Sequence, residues 1–454
     1  MRALKVQKKH WLLILIGVLT ALLYLLFAYD LERANFIKLI SVYSGLFILS
    51  VFLVKYNKDN FKVLAGLALF FRFLFLFAIP NLSQDFYRFI WDGSVILEGF
   101  NPYLYTPDSL ISNGKLPIIQ SQTLYNGMGG LSSGNYTNYP PLHQLIFTVA
   151  ALISGKSILG SVIVMRLFII LADLGILYFG KKLLDQLNLP MYSIFLYLLN
   201  PLIIIELTGN LHFEGIMVSF LIISLYFLNK HKTKLSAIAL SFSVLVKLIP
   251  LMFLPFFILK LNKKKRLGFI TTFLLVSTLA FIPFFSFDFT VHFIETVGLW
   301  FNKFEFNGSI YYLVRVIGFK LLGYNIIGTY GFVMVIITVL FIGVYLIKNM
   351  HNTSTQQIIN GLLICLSVYY FLSTTIHPWY IATLIALTVF SKYRFPLVWS
   401  FTIMLSYYAY GKIGFRENLW LITLEYVPVF GFFVYEVVLK KQLGDEQIDN
   451  LNKN

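Results

Sequence analysis

Apolar runs of about 20 residues, each long enough to cross roughly 30 Å of hydrocarbon, recur from one end of this chain to the other. No other feature limits the fold so tightly. Inside a bilayer every backbone N–H and C=O has to find its partner within the spanning element, and a helix does this by itself. Charged residues are 12% of the 454, about half the share of a soluble domain. The chain is therefore read as an all-α polytopic membrane protein of about 12–14 transmembrane helices, some of them re-entrant half-helices.

The formal charge of +16 could suggest a polyanionic partner. The basic clusters, however, sit in short loops between apolar runs: Lys230-His-Lys-Thr-Lys234, and Lys260 followed by Lys263-Lys-Lys-Arg266. That is the positive-inside pattern that orients helices in a membrane, and it implies no nucleic acid. The start, with Arg2, Lys5, Lys8 and Lys9 before an apolar run over 11–28, resembles a secretory signal without a small-residue cleavage site, so it reads as an uncleaved first helix. Cys365 is the only cysteine, which excludes an intrachain disulfide and a thiolate metal site. Asn81-Leu-Ser and Asn307-Gly-Ser match the glycosylation sequon, a pattern short enough to arise by chance.

Taken in order with the basic loops inside, the spans 11–28, 36–54 and 61–80 deliver the chain outward at Pro80. The segment 81–141 is then external and carries only Arg88 and Lys115 as cations. The apolar stretch 142–157 is short and includes His143, Gln144 and Lys156, so it is expected to lie along the outer surface as a juxtamembrane helix. Spans at 158–180, 191–207 and 214–229 follow. The run 235–260 has basic loops at both ends and Pro250 after Lys247, which predicts two half-helices meeting at a break. Spans at 267–286, 325–347, 356–373, 379–391, 395–410 and 417–438 lead to an internal polar tail, 439–454. Five polar stretches then share the outer face: 81–141, 208–214, 287–308, 373–380 and 411–418. There is no internal repeat and no separate soluble domain, so residues 1–454 form one membrane domain with its chemistry outside.

The first external segment opens with Ser83-Gln-Asp-Phe-Tyr-Arg-Phe-Ile-Trp-Asp-Gly93. In a helix, Asp85, Arg88 and Asp92 share one face, with the two carboxylates about 10 Å apart along the axis. That is too far to chelate one metal unaided, and it suits an arginine that holds one or both carboxylates. A carboxylate base also needs to reach a substrate hydroxyl. The same spacing fits a surface ion-pair ladder equally well. Tyr87, Trp91, Tyr103 and Tyr105 could stack on sugars or serve as an interfacial aromatic belt. Asn101-Pro-Tyr103 and Tyr139-Pro-Pro141 are rigid turns. Arg166 and Asp173 lie in one span at i and i+7, where a structural pairing is the favoured reading. His212, Glu214 and His377 sit at outer helix junctions and leave room for a divalent metal, Mg2+ or Mn2+, although no His-x-x-x-His spacing is present. Lys247, His377, Lys412 and Arg416 could meet an anionic phosphate near the interface.

The ordered set Asp85-Phe-Tyr-Arg-Phe-Ile-Trp-Asp-Gly93, Gly99-Phe-Asn-Pro-Tyr103, Tyr139-Pro-Pro141, Asn200-Pro201, Gly209-Asn-Leu-His-Phe-Glu214, Lys247 before Pro250, and His377-Pro-Trp-Tyr380 resembles the GT-C superfamily of integral-membrane glycosyltransferases. Its closest likeness is to the bacterial polyprenyl-phosphate-mannose-dependent mannosyltransferases. The resemblance covers roughly 80–380. It implies a first external loop with juxtamembrane helices and a catalytic acid at its start, which carries over to Asp85. Two departures stand out: Gln84 takes the place of the first of two paired acids, and Glu214 that of an aspartate. Both weaken a two-carboxylate metal site.

The resemblance further implies inverting transfer of a hexose, mannose by family likeness, from a polyprenyl-phosphate donor to a glycan or glycolipid acceptor on the outer face of the cytoplasmic membrane, with both termini cytoplasmic. Asp85 would take the acceptor proton, and Arg88, Lys247, His377 and Arg416 would stabilise the leaving phosphate. Asp92, Tyr103, Tyr139, His212, Glu214 and Trp379 complete the candidate substrate-binding set. A lipid-linked sugar flippase would share the broken helix and intramembrane charges but should show a repeat. A polysaccharide polymerase or ligase would more often carry its large loop late in the chain.

Overall fold

In a computed structural model of the chain, residues 2–114, 118–155, 157–350, 354–412 and 414–441 are described, without the side chains of residues 2–10 and 300–302. The expected tail at 439–454 lies almost wholly outside them. The chain is 77% helical. It divides into two compact units, Met1–Trp300 and Phe301–Asn454.

Among the described residues seven helices are long and apolar enough to cross a membrane. The pair Met191–Leu198 and Ile203–Gly209, bent by 60°, makes an eighth, and six shorter apolar helices accompany them. The expected count of about 12–14 is therefore reached only if the short helices also cross. The first unit contains the long helices Arg2–Asp30, Phe36–Asn57, Ile158–Gln186 and Lys263–Phe281. Around the Ile158 helix pack Glu214–Asn229 and Pro141–Ser154, and Thr233–Val246 packs in turn on the Glu214 helix. The predicted break in 235–260 is present: Lys247 is extended (φ −149°, ψ 143°), and the chain resumes as short helical turns from Ile249.

Three expectations are corrected. The predicted span 61–80 is helical only over Phe61–Phe73, after which hydrogen-bonded turns carry the chain to Ala78. The segment 287–308, read as a polar loop, is a helix over Phe287–Asn302, and Ile310–Leu322 is a further helix. Asp173 pairs with Arg72 at 2.5 Å rather than with Arg166, because seven residues is two turns of one helix and the opposite charge is nearer on a neighbour.

In the second unit, Ile327–Asn349, Thr355–Leu372 and Leu419–Phe433 are the long helices, and Tyr410–Gly411 pairs antiparallel with Gly414–Phe415. Asn307, in the left-handed region at φ 53°, is clasped there. Its amide Nδ2 donates to Glu425 at 3.0 Å, its backbone N–H donates to Glu417 at 2.6 Å, and its carbonyl accepts from the Tyr426 hydroxyl at 2.8 Å. Asn81 is likewise committed, donating to the carbonyls of Phe27 and Leu31. Both sequon asparagines are thus spent on internal hydrogen bonds.

Candidate functional site

The helix that carries the first acid spans Asp85–Leu97. Asp85 lies in its first turn, where the helix dipole favours a carboxylate. It ends in a left-handed Gly99 (φ 83°), with the Phe100 N–H donating back to the Val95 carbonyl at 2.9 Å, a C-terminal geometry that suits glycine. Gly93 faces the Pro141–Ser154 helix so closely that a Cβ on it would stand 2.2 Å from the Phe147 carbonyl oxygen. The two helices cross backbone to backbone because residue 93 has no side chain.

Asp85 is half-buried at the start of this helix, and its surroundings set its protonation. Burial pushes its pKa up. The Lys247 ammonium pulls it down, Glu214 raises it, and the Ser83 hydroxyl and Arg33 lower it. Glu214 and Lys247 are themselves an ion pair through Oε1, and Glu214 is almost fully buried with Oε2 unpartnered. Three separate segments therefore bear on one carboxylate: the start of the Asp85 helix, the start of the Glu214 helix, and the broken Lys247 segment. The arrangement can hold a carboxylate of raised pKa ready to accept a proton, beside a lysine whose side chain is 21% exposed.

Under this cluster sits His143, fully buried against the rings of Phe213 (4.3 Å), Phe147 (4.5 Å), Tyr139 (4.8 Å) and Phe89 (5.7 Å). Burial first, and the charge of Lys247 second, hold its pKa well down, so it is neutral. It joins two of these segments as packing, since Phe89 follows Asp85 by one turn and Phe213 precedes Glu214.

The remaining expected residues fall elsewhere. Arg88 turns away from Asp85. Its Nε donates to Asp92 Oδ1 at 2.6 Å, and Nη1 donates to the carbonyls of Ser132 and of Asn135, the latter at 2.9 Å. Gln144 donates to the other Asp92 oxygen at 3.1 Å. This network pins residues 132–137 to the helix and leaves Asp92 fully buried. Tyr103 is also fully buried, donating its hydroxyl to the Tyr139 carbonyl at 2.5 Å, and so presents no open ring face. His212 lies 3.7 Å from the buried Glu206. His377 and Trp379 belong to the second unit, where their rings stack at 4.5 Å and 3°. Arg416, also in that unit, is exposed. Arg72 was not named by sequence reasoning, His143 only as a polar residue in a short apolar stretch, and Asn210 only inside the Gly209–Glu214 motif. Arg72 alone carried a signal, as a charge inside an apolar run.

Among the described residues no group of three or more His, Cys, Asp or Glu side chains is arranged to hold a metal ion. Glu214 faces an ammonium instead, a donor set that does not fit a divalent cation.

A family model described as "Alpha-(1->6)-mannopyranosyltransferase, N-terminal domain" matches residues 18–263, which include Asp85, Glu214 and Lys247. Among curated proteins, the chain is 24% identical to alpha-(1->6)-mannopyranosyltransferase A of Corynebacterium glutamicum over 185 residues, 40% of this chain and 35% of the relative. It is 27% identical to alpha-(1->6)-mannopyranosyltransferase B of the same organism over 153 residues, 32% of this chain and 23% of the relative. Alpha-(1->6)-mannopyranosyltransferase A of Mycobacterium tuberculosis is 20% identical over 184 residues, 40% and 34% of the two chains. The matched stretch thus spans about a third or less of each relative's own length.

Proposed function

The chain belongs to the alpha-(1->6)-mannopyranosyltransferase family, matched over more than half its length, and from that premise we propose that it is a membrane mannosyltransferase with Asp85 as its catalytic base. The observation that carries this reading is the Glu214–Lys247 ion pair whose two charges act on Asp85, all three inside the family-matched region. The donor is a polyprenyl-phosphate mannose, and the acceptor is a hydroxyl of a glycan or glycolipid. The reaction takes place at the outer face of the cytoplasmic membrane, with both termini inside.

Asp85 accepts the proton of the acceptor hydroxyl as that oxygen bonds to the anomeric carbon. The bond from that carbon to the donor phosphate breaks with its electron pair moving to oxygen, and the lipid phosphate leaves as a dianion. Inversion that yields an alpha-linked product, as the family description names it, requires a beta-linked donor. Lys247 is the cation of the cluster and supplies positive charge where the phosphate gains its own. A raised pKa makes Asp85 a stronger base than a free carboxylate, while the charge of Lys247 favours its ionised form. A lipid donor explains why the reaction is built into a membrane protein, since the leaving group stays in the bilayer. Arg88 and Asp92 hold the loop over the helix. His377, Trp379 and Arg416, also among the expected substrate-binding residues, lie in the second unit.

The test is mannosyl transfer by purified wild type and Asp85→Asn with synthetic polyprenyl-phosphate mannose and a panel of glycan acceptors. The wild type transfers, and the variant folds, binds donor and loses on the order of 100- to 10,000-fold in rate. Equal transfer by both would remove Asp85 from the chemistry. No transfer by either, with labelled lipid-linked sugar changing leaflet, would make the protein a carrier.

A further inference from the structure

Arg166 is a buried charge that the proposed mechanism leaves unused. It is fully buried in the Ile158–Gln186 helix and makes no ion pair among the described residues. Its Nε donates to the Thr208 carbonyl at 2.7 Å, Nη2 to the Gly209 carbonyl at 2.9 Å, and Nη1 to the Leu76 carbonyl at 2.9 Å. These carbonyls close two helical segments: the wide turn Ile203–Gly209, and the turns that follow Phe61–Phe73. Helix C-termini carry partial negative charge, so a guanidinium without a carboxylate is stabilised where two of them converge.

Asn210 completes the same joint. Its Oδ1 accepts the backbone N–H groups of Asn81 (3.1 Å) and Leu82 (2.9 Å), and its Nδ2 donates to the Ile205 carbonyl at 3.1 Å. The next residue, Leu211, is buried at φ 62°, a left-handed backbone that an L side chain rarely adopts and that persists only where its surroundings impose it. Beyond the joint, one chain segment runs from Leu82 directly to Asp85, and the other from Asn210 directly to Glu214.

We infer that Arg166, with Asn210, is a positioning residue that fixes how far Asp85 stands from Glu214, and so how the charge of Lys247 is divided between the two carboxylates. The inference rests on Asp85 being the base. The groups that bear on Asp85 are Lys247, Glu214, Ser83 and Arg33.

The test compares Arg166→Lys, which keeps the charge but loses the planar fork, with Arg72→Lys. The Arg72 guanidinium bonds Asp173 and the carbonyls of Ala68 and Leu198, and none of the Leu76, Thr208 and Gly209 carbonyls that Arg166 holds. The first readout needs no turnover: the pH titration of the Asp85 carboxyl band by difference infrared spectroscopy, assigned by its loss in Asp85→Asn. Glu214→Gln lowers that titration by about one unit in the wild-type background. In the Arg166→Lys background the same change moves it by less than half as much, and in Arg72→Lys by as much as in wild type. The second readout is kinetic: kcat of Arg166→Lys falls on the order of 100-fold with KM for donor little changed.

An undiminished Glu214→Gln shift in Arg166→Lys, or a kcat no lower than in Arg72→Lys at equal folding, would overturn the inference. If Arg166→Lys does not fold, Asn210→Ala takes its place under the same criteria. If the wild type transfers no mannose but the infrared coupling behaves as stated, the mannosyltransferase reading fails and the positional assignment stands.

Discussion

Lys247 meets Glu214 from the extended break between two half-helices, 33 residues further along the chain, and Asp85 feels both charges. The lysine and the glutamate act on Asp85 with opposite sign. In the proposed mechanism the active form of Asp85 is the ionised one, so its pKa is expected to set the acid limb of the pH–rate profile. Glu214→Gln removes a like charge and frees Lys247, and the acid limb moves to lower pH. Lys247→Met removes the favourable charge, and the limb moves to higher pH. Each shift is on the order of one unit. Profiles of kcat/KM for the two variants decide the matter, and shifts of the same sign would dissolve the cluster as an electrostatic unit.

Gly93→Ala is expected to cost about 1–3 kcal/mol, because the added Cβ meets the Phe147 carbonyl, which is backbone and cannot rotate away. Thermal unfolding in detergent measures the loss. Shortening the neighbouring side chain with Phe147→Ala does not restore stability. A rescue would show that the clash is with the ring instead.

Arg72 and Asp173 are fully buried partners. Asp173→Asn leaves the guanidinium without its counter-charge and costs about 3–5 kcal/mol, whereas the double replacement Arg72→Met with Asp173→Leu recovers most of that loss. Unfolding midpoints of the single and double variants check it, and additive losses would contradict it.

Glu425 Oε1 accepts from both Trp399 Nε1 and Asn307 Nδ2 at 3.0 Å. Glu425→Gln retains an acceptor there and changes stability by under about 1 kcal/mol. Glu425→Leu strips two buried donors of their acceptor and costs about 1–3 kcal/mol for each. Equal unfolding midpoints for the two variants would remove this cluster as the clasp on Asn307.

Hydropathy alone located Phe36–Asn57, Ile158–Gln186 and Ile327–Asn349, because twenty apolar residues in succession leave few alternatives to a spanning helix. The break at Lys247 was legible from Pro250, a purely local effect. The helix Phe287–Asn302 was not, because Asp288, His292 and Glu295 give it the composition of a loop while its other face is apolar. Asp85 stood out as a carboxylate at the head of a long polar segment, yet its company did not. Glu214 and Lys247 are brought to it across more than a hundred residues, and no periodicity encodes that. Arg88 was read as a ligand for one or both carboxylates; its choice of Asp92 follows from Gln144 and the loop carbonyls, which arrive from other segments.

The bond from Arg72 to Asp173 also carries a direction in time. A ribosome makes Arg72 101 residues before the carboxylate that neutralises it, and makes Arg166 some forty residues before the carbonyls of Thr208 and Gly209 that hold it. Each arginine reaches the insertion machinery as an unpaired cation in an apolar segment. Each therefore costs its segment about 2.5–3.5 kcal/mol until its partner has been made. The two arginines are fully satisfied only once residues 173 and 209 have been made, so the early helices of the first unit gain their full stability together rather than singly.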